Sequence, residues 1–227
     1  MKIVILAAGS GTRLGKPFPK CLTPLASGQT ILERQLTFFS RYVSPDDICI
    51  VVGFEKEKIM DIAPESIFVF NREYASTNTS KSLLRAFKKL SGNDILWING
   101  DVVFDPNALD KIIKKTEENY PFVVVNTQKV SEEEVKYRLD SKGNVVEISK
   151  SIKNGAGEAL GINYMPKNYC ETYIRNLEKC DNRDYFEKGL ELAILHEKLP
   201  VKILDISEYG CVEVDFPEDL EQANKII

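Results

Sequence analysis

Short apolar segments alternate with amphipathic ones through the first half of the chain. Five apolar segments are rich in β-branched or aromatic residues and are short enough to be buried strands. They cover residues 2–6, 47–53, 66–70, 94–98 and 121–126. Between them, apolar positions at helical spacing predict helices over residues 30–41, 56–62 and 80–90, and another that begins at Pro106. This alternation predicts an α/β fold with a doubly wound, mainly parallel sheet.

The pattern changes after residue 126. Residues 137–140 and 144–149 flank Ser141-Lys142-Gly143, which is typical of a hairpin, so we expect a small antiparallel β insert over approximately residues 128–165. Further strands are predicted over residues 158–165, 201–206 and 211–214, and helices over residues 168–178, 185–198 and 218–227. We expect residues 1–227 to form a single domain.

Composition and charge exclude several classes of function. The 30 basic and 34 acidic residues leave a formal net charge of −4, so the chain has no cationic field for nucleic acid or anionic lipid. No apolar run reaches the roughly 18 residues that span a bilayer, and we expect a cytoplasmic protein that binds neither nucleic acid nor membrane. Five scattered cysteines and a single histidine support neither a disulfide framework nor a zinc site.

In such sheets, ligands bind in the crevice beyond the carboxyl ends of the strands, where the sequence places loops 7–20, 71–81 and 99–104. The first of these loops does not fit either common phosphate-binding fingerprint. A dinucleotide motif would need glycine where Leu14 stands, and a Walker A loop would need glycine in place of Ser10. What remains is a glycine-rich backbone that can approach an anion closely.

An arginine and a lysine, Arg13 and Lys20, stand seven residues apart in this loop and can hold a polyphosphate from two sides. The segment LAAGSGTRLG, followed by PK, resembles the signature G-x-G-x-R…P-K of the sugar-phosphate nucleotidyltransferases. Asp101 at the end of Ile-Asn-Gly-Asp and Asp215 in Glu-Val-Asp resemble the metal-binding aspartates of that superfamily. Residues 71–83 are similar to the small bacterial cytidylyltransferases related to choline-phosphate cytidylyltransferase.

The resemblance implies a Rossmann-like nucleotidyltransferase fold and transfer of CMP from CTP to a small phosphorylated or phosphonate acceptor, with release of pyrophosphate. Choline phosphate, glutamine phosphate and 2-aminoethylphosphonate are conceivable acceptors. Mg²⁺ would be the cofactor, held by Asp101 and Asp215, because it prefers carboxylate and phosphate oxygens. Arg13 would hold the β- and γ-phosphates, and Lys20 the α-phosphate.

By the same resemblance, Lys150 would meet the acceptor phosphate, with Glu158 and Tyr164 as further acceptor contacts. The expected nucleotide contacts are Leu6, Ala7, Ala8, Gly9, Ser10, Gly11, Gly53, Asn78, Thr79, Ser82 and Gly100.

Several alternatives stay open at this point. The enzyme could transfer UMP, TMP or GMP to a hexose 1-phosphate, or the chain could be an inactive nucleotide-binding subunit. Asp215 could instead cap the final helix. Lys150 could belong to a solvated face together with Lys142 and Lys153. The resemblance also suggests a role in cell-surface polysaccharide biosynthesis, and it leaves a homodimer open.

Overall fold

Strands and helices alternate through the first half of the chain, as predicted. The computed structural model describes residues 1–11, 15, 17–128, 130 and 134–227. Its strands are β1 (Lys2–Ala7), β2 (Ile48–Val52), β3 (Ile67–Phe70), β4 (Ile95–Asn99), β5 (Val102–Phe104), β6 (Phe122–Asn126), β7 (Lys136–Leu139), β8 (Val145–Ser149), β9 (Glu158–Met165), β10 (Lys202–Asp205) and β11 (Cys211–Glu213). Its helices are α1 (Ile31–Phe39), α2 (Lys56–Ile62), α3 (Thr79–Lys89), α4 (Pro106–Thr116), α5 (Lys167–Lys179), α6 (Phe186–Glu197) and α7 (Pro217–Ile226).

The main sheet has the strand order β10-β6-β9-β4-β1-β2-β3. β1 pairs in parallel with β2 and β4 at its centre, while β9 runs antiparallel between β4 and β6. The predicted hairpin forms from β7 and β8, and β7 joins the sheet where Lys136 pairs with Glu158 of β9. The mixed, mainly parallel α/β sheet and its antiparallel insert are therefore confirmed.

Alternate residues of the central strand face opposite helical layers, because successive side chains of a strand point to opposite faces. Val4 and Leu6 pack in a cluster with side chains of α3, α5 and α6. Ile3 and Ile5 pack in a second cluster with side chains of α1, α2 and α4. The sheet is thus covered on both faces, as a doubly wound fold requires. Within the described ranges, every helix falls short of the length and apolarity that a bilayer crossing needs.

A second, two-stranded sheet lies at the carboxyl edge of the main sheet and was not predicted. After β4 the chain turns at Gly100-Asp101 into β5, which pairs antiparallel with β11, so that Val102 lies opposite Glu213. The side-chain amide of Gln35 donates hydrogen bonds to the carbonyls of Asn99 (3.0 Å) and Val102 (2.8 Å), on both sides of this turn. Strands of three residues are too short to give a periodic signal, which explains why the sequence pattern did not reveal β5.

Candidate active site

A cleft of about 640 Å³ opens beyond the carboxyl ends of β1 and β4. Residues from the loop after β1, from the turn after β4 and from the end of β11 line one part of it, which we call the nucleotide half. Residues from β9, from the segment just before β7, from the turn after β8 and from the start of α6 line the other part, which we call the acceptor half. The crevice predicted from the strand pattern is therefore present at the expected edge of the sheet.

Two carboxylates and one lysine form the centre of the nucleotide half. Asp101 follows β4 and Asp215 follows β11, and the backbone N–H of Val214 donates a 3.0 Å hydrogen bond to the carbonyl of Asp101. The pairing of β5 with β11 thus places the two aspartates side by side, although they are distant in sequence. Lys20 Nζ donates a 2.8 Å hydrogen bond to Asp101 Oδ2 and a second hydrogen bond to Asp215 Oδ1.

The ammonium group of Lys20 stays protonated in this position. Burial acts to lower the pKa of Lys20, but Asp101 and Asp215 outweigh that effect and hold the pKa above its usual value. The side chain is only 12% exposed, so this cation can be displaced from the carboxylates only by a group that replaces its charge or its partners. Lys20 therefore occupies the position where two anions would otherwise repel each other.

A glycine in the first loop makes room for Lys20. Gly11 has φ +60°, and a Cβ atom built on it would lie 2.8 Å from Lys20 Cβ. Any side chain at this position would be strained and would push Lys20 away from the aspartates. The glycine-rich loop thus has a packing role in addition to the close approach to an anion that the sequence suggested.

The alternative role of Asp215 as a helix cap is not what the structure shows. The carboxylate of Asp219 in the first turn of α7 accepts hydrogen bonds from the backbone N–H groups of Asp215 (3.0 Å) and Phe216 (2.8 Å). The carboxylate of Asp219 therefore fixes the backbone that leads into α7. The side chain of Asp215 is left to meet Lys20 in the cleft.

The cleft brings together most of the predicted nucleotide contacts. The predicted residues that line it are Leu6, Ala7, Gly9, Gly11, Asn78, Thr79 and Gly100, with Lys20, Asp101 and Asp215 from the predicted catalytic and metal sets. Asn78 has its side chain engaged, because Oδ1 accepts from the N–H of Thr79 (2.8 Å) and Nδ2 donates to the carbonyl of Arg183 (3.2 Å). Asn78 therefore ties the nucleotide half to the loop that precedes α6.

Ala8, Ser10, Gly53 and Ser82 are not among the lining residues. The buried Ser82 accepts a 3.0 Å hydrogen bond from Asn71 Nδ2. Gly53 lies so close to the carbonyl of Ala8 that a Cβ atom would come within 2.4 Å of that oxygen. Ser82 and Gly53 therefore support the loops around the cleft without lining it, because each is buried against backbone or side chains of the protein.

Of the predicted acceptor residues, Lys150 and Glu158 line the cleft but Tyr164 does not. Tyr164 is 3% exposed and packs its ring on Phe122, with ring centroids 5.3 Å apart. It lies six residues beyond Glu158 along an antiparallel strand, roughly 20 Å further from the carboxyl edge of the sheet. Tyr164 is therefore a core residue, and its prediction as an acceptor contact is corrected. Lys150 Nζ lies 4.6 Å from the centroid of the Tyr185 ring.

Arg13, predicted to hold the β- and γ-phosphates, lies outside the residues that the structure describes. Its role stays a prediction. The described residues Gly11 and Lys20 line the nucleotide half of the cleft.

Glu213 and Glu187 are two acidic residues of the cleft that received no role from the sequence. Glu213 is half-buried by solvent exposure, and the desolvation of its carboxyl group, followed by the nearby Asp101, raises the pKa of that group well above the usual range. Asn99 Nδ2 donates a 3.0 Å hydrogen bond to Glu213 Oε1. The place of Glu213 in the cleft could have been predicted from its spacing to Asp215, because residues two apart in an extended segment share a face. Glu187, in the first turn of α6, gave no such signal, because glutamate is common at helix starts.

Gly161 leaves the space that Glu213 and Asn99 occupy. It has φ +67° in the middle of β9, and a Cβ atom would lie 2.3 Å from Glu213 Oε1 and 2.8 Å from Asn99 Nδ2. The carboxyl group of Glu213, the amide of Asn99 and the bare backbone of Gly161 thus meet at one point.

Cys21 also lines the cleft, next to Lys20, but it is no nucleophile. Burial, and then the charge of Asp101, raise the pKa of the Cys21 thiol to about 12. The thiol is therefore protonated near neutral pH and unreactive.

The residues present fit a magnesium ion. Asp101 Oδ1 is buried without a hydrogen-bond partner among the described residues, so the carboxylate has one oxygen directed to no protein donor. Within the described ranges no three His, Cys, Asp or Glu side chains converge into a metal cluster. Two carboxylates alone suit Mg²⁺, which usually takes one or two protein carboxylates and completes its shell with phosphates and water.

A doubly wound sheet whose carboxyl edge carries a largely buried lysine beside two aspartates is typical of a nucleotidyltransferase of the α/β class. Within this class the chain belongs to the family described as the MobA-like NTP transferase domain, whose model matches residues 3–181.

A curated relative is similar to nearly the whole chain. A CMP-5'-(3-aminopropyl)phosphonate synthase from Streptomyces rubellomurinus is 26% identical over 245 residues, which cover 99% of this chain and 38% of the relative. The chain thus spans less than two fifths of that relative's length.

Two solved structures share the fold over nearly the whole chain. A CTP:phosphocholine cytidylyltransferase from Streptococcus pneumoniae has a TM-score of 0.76 at 22% identity, with 99% of this chain and 98% of the other covered. A UDP-glucose pyrophosphorylase in complex with UDP-glucose has a TM-score of 0.77 at 13% identity, with 99% and 97% covered.

Proposed function

We propose that this chain transfers CMP from CTP to a small phosphorylated or phosphonate acceptor and releases pyrophosphate, with Mg²⁺ as cofactor. The observation that carries the proposal is the contact of Lys20 with both Asp101 and Asp215 in the nucleotide half of the cleft. These groups supply one cation and two hard oxygen ligands at one point, which is what a site for a nucleoside triphosphate and its metal requires.

The reaction is an in-line displacement at the α-phosphorus. An oxygen of the acceptor phosphate forms a bond to that phosphorus, and the bond from the α-phosphorus to the oxygen bridging to the β-phosphate breaks, with its electron pair leaving on pyrophosphate. No general base is needed, because the second pKa of a phosphate monoester is about 6 and the attacking oxygen is already ionised near neutral pH. The absence of a reactive thiol at Cys21 agrees with such a mechanism.

The protein's own part in the mechanism is to position and neutralise charge. Asp101 and Asp215 would hold Mg²⁺, which when bound would neutralise charge on the phosphate oxygens. Lys20 would then be free to meet the α-phosphate, and Lys150 would hold the acceptor phosphate. Arg13 would hold the β- and γ-phosphates. Bringing two anionic reactants together is costly in water, and these cations compensate for their mutual repulsion.

The choice of CTP rests on the comparisons. The relative from Streptomyces is named for a CMP–phosphonate product, and the structure from Streptococcus pneumoniae is named for CTP and phosphocholine. The likeness to a UDP-glucose pyrophosphorylase favours a second candidate, nucleotidyl transfer to a hexose 1-phosphate, and the cleft has room for one.

Pyrophosphate release tests both candidates. We would measure it with Mg²⁺ for CTP, UTP, dTTP, ATP and GTP, each against choline phosphate, glutamine phosphate, 2-aminoethylphosphonate and glucose 1-phosphate. Turnover with CTP and one of the first three acceptors supports the proposal. Turnover with glucose 1-phosphate supports the second candidate. If no combination releases pyrophosphate, both candidates are contradicted and the chain would bind a nucleotide without transferring it.

A further inference from the structure

Side chains of both charge signs line the acceptor half of the cleft. Three carboxylates line it, those of Glu134, Glu158 and Glu187, and Lys150 is the ammonium group among the described residues there. Glu134 and Glu158 each interact with other groups of the protein, so the carboxylate whose charge bears on the ligand is that of Glu187.

Glu187 is the carboxylate that nothing in the fold explains. Its residue is only 8% exposed, and it lines the cleft. Among the residues that the structure describes, no other residue forms an ion pair or hydrogen bond with its carboxyl group, which accepts only from its own backbone N–H. A glutamate in the first turn of a helix is favourable when exposed, but a buried one without a cation costs free energy.

The backbone that carries Glu187 is fixed. The N–H of Phe186 donates a 3.0 Å hydrogen bond to Thr79 Oγ1, and the carbonyl of Phe186 accepts one of 3.0 Å from the hydroxyl of Tyr173. The first turn of α6 is thereby anchored on both sides to neighbouring helices. Glu187 is therefore held in the cleft by its anchored backbone.

Lys150 faces the same space without pairing with Glu187. The two groups attract each other, since Lys150 acts to lower the pKa of Glu187, yet no ion pair joins them. The described contact of Lys150 is with the ring of Tyr185, the residue two positions before Glu187. The net effect of burial, partly offset by Lys150, raises the pKa of Glu187 to about 7.

We infer that the acceptor is a zwitterion, with its phosphate or phosphonate on Lys150 and an ammonium group on Glu187. A cation and a buried carboxylate that line one cavity without pairing with each other match a ligand that brings one charge of each sign. Tyr185 adds an aromatic face that an ammonium group can approach once Lys150 engages the phosphate. This inference rests on the proposed function, because it assumes a phosphorylated acceptor in this half of the cleft.

Pairs of acceptors that differ only in the charged nitrogen test the inference in the unmodified protein. Choline phosphate is compared with 3,3-dimethylbutyl phosphate, and ethanolamine phosphate with propyl phosphate. For each we would measure kcat/KM with CTP and Mg²⁺, and separately the calorimetric affinity without CTP. The ammonium member of at least one pair should be favoured by about 30-fold or more in both measurements, as for loss of one partner of a buried charge pair.

Variants then assign the preference to a residue. Glu187→Gln should reduce the preference to near parity, mainly through KM, whereas Glu187→Asp should retain it because the charge remains. Glu191→Gln, one turn further along α6 and outside the cleft lining, is the matched control and should behave as the wild type.

Each outcome has one meaning. Equal use and equal binding of charged and neutral acceptors by the wild type overturns the inference while leaving the proposed function intact. A preference that survives in Glu187→Gln overturns the role of Glu187. Calorimetric preference for the ammonium ligands without CMP transfer supports the zwitterion subsite and contradicts the proposed function.

Discussion

The two halves of the cleft hold their charges in opposite ways. In the nucleotide half, Lys20 already contacts both Asp101 and Asp215, and a glycine at position 11 gives it room. In the acceptor half, Lys150 and Glu187 face the same space without contact between their charged groups. In the nucleotide half, a ligand must therefore replace the existing ion pairs with its own charges. In the acceptor half, a ligand that carries one charge of each sign would give both groups a partner.

This difference indicates how the two substrates would enter. A triphosphate with its metal would replace existing ion pairs, so binding there is an exchange of partners. An acceptor in the other half would not have to displace an ion pair between Lys150 and Glu187. Its positive charge would also reduce the free-energy cost of burying the carboxylate of Glu187. The predictions below are ordered from the largest expected effect to the smallest.

Removing one aspartate should abolish the exchange in the nucleotide half. Asp101→Asn keeps the shape of the side chain but lacks the negative charge that a metal and Lys20 need. We expect turnover to fall by about 10³-fold, on the scale of losing a main electrostatic stabiliser of a transition state. Pyrophosphate release measures the effect. Asp110→Asn, on α4 and hydrogen-bonded to Tyr42, is the control, and equal activity of the two variants would refute the metal role of Asp101.

Lys20→Met should separate catalysis from metal binding. Turnover should fall by about 100-fold, because charge on the α-phosphate is no longer neutralised. Affinity for Mn²⁺ without nucleotide should rise, because the ammonium group no longer competes for the two carboxylates. Calorimetry measures the affinity. Lys2→Met removes a comparable lysine–aspartate pair, with Asp47, away from the cleft lining and should change neither property. Unchanged metal affinity in Lys20→Met would rule out the competition.

Gly161→Ala should disturb the base of the nucleotide half. Its Cβ would collide with Glu213 Oε1, and a left-handed backbone conformation costs a non-glycine residue about 1–2 kcal/mol. Gly143→Ala is a matched control, since Gly143 has φ +73° but its Cβ would meet nothing within 4 Å. We expect both variants to lose stability in chemical denaturation and only Gly161→Ala to lose activity as well. Equal activity of the two would mean that the collision has no effect on the site.

The unpaired carboxylate of the acceptor half should appear in the pH dependence of stability. The pKa of Glu187 is raised from its ordinary value of 4.5 to about 7, with Lys150 and Glu134 as the charged groups facing it. Between these pH values the folded protein holds a proton that the unfolded chain has released. The free energy of unfolding therefore falls as the pH rises through this window, by up to about 3 kcal/mol.

Glu187→Gln cannot ionise and should escape this loss. Its Tm should match that of the wild type near pH 4.5 and exceed it above pH 7. Thermal unfolding from pH 4.5 to 8 measures the difference, with Glu191→Gln expected to follow the wild type. A constant Tm difference across the range would show that Glu187 does not titrate in this window.

Much of the fold was predictable because its signals are local. β9 has the predicted bounds, Glu158–Met165, and α2 begins and ends at the predicted residues, Lys56 and Ile62. Apolar runs and helical spacing depend only on residues that are close together in the chain, so they can be recognised without knowledge of the tertiary structure. The short strand β5 was missed because three residues carry no period.

The site was predictable in part. Lys20, Asp101 and Asp215 were singled out through their motifs, and the structure brings them together. Tyr164 was wrong as an acceptor contact, because the direction of β9 places it far from the carboxyl edge of the sheet. Glu187 was missed, because only the packing of the first turn of α6 against its neighbours buries that residue in the cleft.

The sequence by itself determined the α/β class, the order of the elements and the candidate residues of the nucleotide half, since each depends on residues close together along the chain. Only the tertiary structure decided which charges meet. The pairing of β5 with β11 joins Asp101 to Asp215 across more than a hundred residues. The anchoring of α6 leaves Glu187 in the cleft with Lys150, without an ion pair between the two. Such contacts depend on strand direction and helix packing in three dimensions, and no local period encodes them.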